Sequence, residues 1–212
     1  MTQTHIPSTT LDAFDAETSR HATSRRDWQR LSLMAGGVLF AIGNLLHPLQ
    51  HNDDAYQSAT WEAAHLTIFF SIPLLVLGMP VLHRLLSARI GRKLSTFSVA
   101  ASVVGLIGIA PGTIIETFVA PMIGHEAMQH LESGGMGAVN ALLGGFYLGG
   151  TIALGSAVRK AKLRPSWAGP ALALSAVVLV AVMSSTSAAA GVVIIGATMA
   201  YGLALAALAV RA

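Results

Sequence analysis

Lys and Arg occur in only four short segments of this 212-residue chain, and the stretches between them are apolar and divide into pairs. The basic residues run from Arg20 to Arg30, from Arg84 to Lys93 and from Arg159 to Arg164, and end with Arg211. If each apolar run crosses a bilayer once, all thirteen fall on one side. Cytoplasmic loops collect Lys and Arg because these charges resist translocation. The pattern predicts an all-α, polytopic protein of the cell (inner) membrane. It would be a bundle of six transmembrane helices with both termini cytoplasmic.

Composition agrees. A soluble domain carries about a quarter charged residues, whereas this chain has 11% charged and 53% hydrophobic residues. A water-facing surface cannot be built from it. The formal charge of +3 would suggest nucleic acid in a soluble chain. Here the basic residues flank apolar runs, so topology and anionic headgroups account for them and no nucleic-acid partner is expected. The absence of cysteine excludes disulfides, thiolate metal sites and covalent c-type haem attachment.

A span needs about 20 apolar residues. The expected spans are 31–49, 63–82, 94–119, 136–158, 168–183 and 190–210, within one domain from 31 to 212. Pro111-Gly112 interrupts the third. Residues 1–30 are polar, without an apolar signal-peptide core, and are expected to form a disordered cytoplasmic tail. Trp28, Trp61 and Trp167 each precede a span, where amphipathic rings favour the headgroup level. Gly145 and Gly149 form a GxxxG pair, expected to serve helix packing within the chain.

The side without Lys or Arg receives His47, His51, His65, His125 and His130, together with Glu62, Glu116 and other acids. At 1.5 Å per residue, His47 lies roughly 24 Å above the start of the first span and Glu116 roughly 33 Å above Leu94. His65 enters the second span from the same side, so the three converge on the outer leaflet. Asn44 and His47 share a helix face, as do Glu62 and His65. Glu116 is the only acid in the apolar segment IAPGTIIETFVAPMIG. Ionisable groups inside a span are costly and by default mark function.

His47 and His65 are the candidate cofactor ligands. His47, His65, Glu116 and one of His125 or His130 make a candidate metal set, with Asn44 and Glu62 in support. The cofactor would be haem b or a transition metal (iron, copper or zinc). Each histidine alone also fits a cap or a headgroup contact, so the case rests on several at one depth. No nucleotide-binding, serine-hydrolase or zincin motif is present. The expected function is metal or haem-iron binding at the outer face, for electron transfer, small-molecule redox chemistry or sensing. A small proton-coupled or divalent-cation transporter is the alternative, and a non-catalytic accessory subunit the third. The partners would be the lipid bilayer and a small molecule or ion at the outer face. The last two spans, free of ionisable residues from Ala168 to Val210, offer surfaces for a homo-oligomer or larger complex.

Overall fold

Apolar runs that leave water must satisfy their backbone hydrogen bonds internally, and a helix does so within one segment. The computed structural model describes residues 8–50, 52–182 and 187–211, and every element among them is helical. His5, His51 and residue 183, the end of the fifth expected span, lie outside them. The elements are α1 (Ser8–Leu46), α2 (Asp53–Tyr56), α3 (Trp61–Ile90), α4 (Arg92–Phe118) and α5 (Ala120–Ile123). They continue with α6 (His125–Ser133), α7 (Gly135–Lys160), α8 (Ala168–Val182) and α9 (Ala188–Val210).

Among the described residues, five segments are long and apolar enough to cross a membrane: Arg26–Leu46, Trp61–Ile90, Arg92–Phe118, Met136–Lys160 and Ala188–Val210. The fifth expected span, α8, is helical over 15 described residues. That length rises about 22 Å against a hydrocarbon core of about 30 Å. The segment from Ser8 to Arg30, expected to be a disordered tail, is helical and continuous with the first span. It holds no Gly or Pro to break the run. Nor does Pro111 end α4, which passes through it to Phe118. A bundle helix tolerates proline where neighbouring groups satisfy the freed carbonyl.

Among the described residues, the five long helices and α8 form a closed ring in chain order: α1 on α3, α3 on α4, α4 on α7, α7 on α8, α8 on α9, and α9 back on α1. Short connections make neighbours antiparallel. The Arg and Lys residues from Arg26 to Arg211 therefore gather at one end, where the Arg84 guanidinium donates to Gln29 Oε1 and the Arg30 side chain to the final carbonyls of α9. Leu33, Phe40, Leu75, Leu106, Leu154, Tyr201 and Leu205 fill the interior. The outward faces are apolar too, with Phe70, Phe97, Leu77, Leu142 and Leu174 exposed. A helix that is apolar all round suits the core of a large protein or a lipid bilayer, so these faces suggest a membrane protein.

Backbones meet closely at a few glycines. A Cβ on Gly37 would strike the Gly202 carbonyl of α9, and one on Gly105 would strike the Tyr147 backbone of α7. Gly145 and Gly149, the pair expected to pack, are exposed, and a Cβ on either meets nothing. Helical rotation turns them away from the α4 contact that Gly150 makes. At the other end from the basic residues, α2, α5 and α6 cap the ring through a second small core of Ala55, Tyr56, Trp61, Ala120 and Met128.

Candidate metal centre

Three helices bring one side chain each to a point beneath that cap. His47 follows the last turn of α1, His65 lies in the second turn of α3, and Glu116 sits near the end of α4. One ligand atom from each lies within 4.8 Å of the others. His65 is 1% exposed, the only histidine, acid or base among the buried described residues. The Glu116 side chain remains 29% exposed.

Hydrogen bonds fix the chemistry of both rings. His65 Nδ1 lies 2.8 Å from the Trp61 carbonyl, and His47 Nδ1 lies 2.8 Å from the Pro48 carbonyl. A carbonyl only accepts, so each Nδ1 carries a proton, and both Nε2 atoms turn inward, where each can act as a ligand or acceptor in the neutral tautomer. Those two Nε2 atoms are 3.3 Å apart, and His65 Nε2 is 2.7 Å from Glu116 Oε2. Two ring nitrogens and a carboxylate oxygen converge, an arrangement that can hold a positive species, a proton or a metal ion, between them. An imidazole anchored by Nδ1–H to a backbone carbonyl is also the usual support of a metal-ligating histidine.

Trp61 organises the group. Its Nε1–H donates to the Glu116 carbonyl at 2.8 Å, while its own carbonyl holds His65. Its ring lies against both imidazoles, with centroids 4.2 Å from His65 and 5.5 Å from His47. Sequence reading placed Trp61 at the headgroup level, yet it is 1% exposed because the cap closes over it; Trp28 and Trp167 are exposed. Only its position four residues before His65, one helical turn, pointed to this role.

The remaining candidates divide. His125, at the start of α6, faces the same cavity as His47 and Glu116. Its backbone N–H donates to Asp53 Oδ1 at 2.8 Å, and its Nδ1 is 3.4 Å from the Tyr56 hydroxyl. Burial, with Glu116, Glu132 and Asp53 nearby, pushes the Tyr56 phenol up to about 12, so that hydroxyl keeps its proton. His130 is exposed and lies with Glu126 and Ser133 on another surface of α6. Five residues separate the two histidines, which turns them to different faces. Asn44 is buried, donates to the Phe40 carbonyl at 2.8 Å and lines the cavity beside His47. Glu62 is exposed in the first turn of α3.

The cavity has a volume of about 480 Å³. Its rim includes Gln129 and Glu132 of α6, and its floor Tyr147, Leu148, Leu179 and Ile194. Sequence reading found none of these, because none stands out from a solvated helix or an apolar span. Burial first, then Glu116, raises the Glu132 carboxyl above its ordinary range, opposed by His125. Comparison with protein-family models, curated proteins and solved structures returns no match for this chain.

Proposed function

We propose that the chain is an integral membrane protein of six spans, termini cytoplasmic, that holds one divalent transition-metal ion at its outer end between His47, His65 and Glu116. The observation that carries this reading is the pair of Nδ1 contacts to backbone carbonyls, which turn both Nε2 atoms inward beside a carboxylate. Ligands about 2.0–2.1 Å from a tetrahedral ion lie about 3.3–3.4 Å from each other; the two nitrogens are 3.3 Å apart, while the 2.7 Å between His65 Nε2 and Glu116 Oε2 is a hydrogen-bond distance that an ion would have to open. Two imidazoles and one carboxylate suit zinc or iron(II), and three protein ligands leave a coordination position for a small molecule. The spacing argues against haem between these histidines, since axial nitrogens stand about 4 Å apart on opposite faces of the porphyrin.

Proton or cation transport through the same triad is the second reading, favoured by the 2.7 Å contact between His65 and Glu116. Against it stands the apolar filling of the ring below the triad by Phe40, Leu106 and Leu205. Uptake of zinc by the purified chain separates the two: one ion retained per chain supports the metal centre, whereas none retained, with proton flux lost in Glu116→Gln, supports the relay.

Topology is testable directly, because the chain has no cysteine of its own. Single cysteines at the exposed positions Asp54, Arg92, Lys162 and Arg211 are expected to react with an impermeant thiol reagent in intact cells only at 54. Labelling at 92 would reverse the orientation. Opposite behaviour of 162 and 211 would mean that α8 and α9 do not both cross.

A further inference from the structure

Two members of the triad line the cavity, and the rest of its lining has a different chemistry. Those two are His47 and Glu116, while His65 stands behind them and contributes nothing to the lining. An ion held by the three would therefore present its open position to the cavity. The same cavity is lined by Tyr147 and Leu148 of α7, Leu179 of α8 and Ile194 of α9. Gly144 adds room there, since a Cβ at that position meets nothing within 4 Å. No Lys or Arg lines the cavity among the described residues, while Glu116 and Glu132 both do. Glu116 and Glu132 together can offset the two charges of the ion, so an organic anion, which finds no Lys or Arg there, has no net positive charge to draw it in. At about 480 Å³ the space lies within the range of small-molecule sites, about 300–1,000 Å³.

Resting on the metal reading above, we propose that this cavity binds a neutral lipophilic molecule carrying one oxygen donor, a hydroxyl or a carbonyl. The oxygen occupies the ion's open position beside His47 and Glu116. The apolar body lies on the floor built by α7, α8 and α9. Burying that body supplies affinity in proportion to its apolar area, and the single oxygen fixes its orientation. Both halves are needed: the apolar floor alone would not orient the molecule, and the ion alone would prefer water.

The test uses the full-length chain in detergent, loaded with cobalt(II), with 1-naphthol as probe and naphthalene as its oxygen-free counterpart. Naphthol is expected to bind saturably and to shift the cobalt visible bands. Naphthalene is expected to compete for the cavity and leave the bands unmoved. Gly144→Phe fills the floor, and Ile194→Trp fills it from α9. Overpacking on this scale is expected to weaken naphthol about tenfold or more while cobalt stays bound. Gly144→Ala, which meets no neighbour, is the folding control. Naphthol binding with unmoved cobalt bands, or undiminished binding in both filled variants, overturns the proposal and leaves the metal centre standing. A chain that takes up no cobalt overturns the metal centre and the oxygen–metal contact together. Displacement of naphthol by naphthalene would then report on the cavity alone.

Discussion

His65→Ala is expected to lower metal affinity by about 100-fold or more, because even residues that merely support a ligand are worth 10–100-fold. The ring is 1% exposed and touches both other members of the triad, so neither solvent nor a neighbouring histidine can replace it. His125 is engaged with Tyr56 and Gln129, and His130 faces another surface. The fold should survive, since the ring of six helices is held by the core around Leu33, Leu75 and Leu205, away from the imidazole. A ligand that binds only the folded state stabilises it, by about 2.7 kcal/mol at a hundred times its Kd. Added zinc should therefore raise the melting temperature of the wild-type chain in detergent and leave that of His65→Ala where it is. Equal zinc-induced shifts in the two proteins would remove His65 from the site.

Gly105→Leu is expected to do the reverse and destroy the fold before the site chemistry is at issue. The Cβ alone would overlap the backbone of Tyr147, and backbone cannot swing aside as a flexible side chain does. The α4–α7 contact carries Glu116 on one partner and the cavity floor on the other. Forcing these helices apart is expected to cost about 3 kcal/mol or more, at the upper end of overpacking effects. Loss of the monodisperse species on size exclusion, or a large fall in melting temperature, would show it. Gly145→Leu on the exposed face of α7, where a Cβ meets nothing, is the matched control and should behave as wild type. A Gly105→Leu protein as stable as that control would mean that α4 and α7 do not approach as described.

What the sequence revealed divides along a physical line. Hydropathy and the placement of Lys and Arg are properties of whole segments, so the long apolar helices and their order were legible. Depth along a span follows from a fixed rise per residue, so His47, His65 and Glu116 were already placed at one level. Azimuth does not follow in the same way. Which face of α7 meets α4 depends on the partner helix, so Gly145 and Gly149 read as packing residues while Gly105 and Gly150 make the contacts. The cap was hidden for a similar reason. Nothing in HEAMQH distinguishes the face of α6 that carries Met128 into the second core from the face that carries His130 outward. Trp61 read as an interfacial anchor because its burial is created by residues more than fifty positions away, Ala120 and Met128.

The most direct measurement is X-ray absorption at the zinc edge on the metal-loaded full-length chain, alongside the variant in which His47→Ala, His65→Ala and Glu116→Gln are combined. One ion per wild-type chain is expected, with imidazole nitrogens at about 2.0–2.1 Å and a carboxylate oxygen at about 2.0–2.2 Å. The triple variant should bind none. Retention of the same ion with the same spectrum in the triple variant, or a wild-type chain that takes up no ion, would contradict a metal centre at His47, His65 and Glu116.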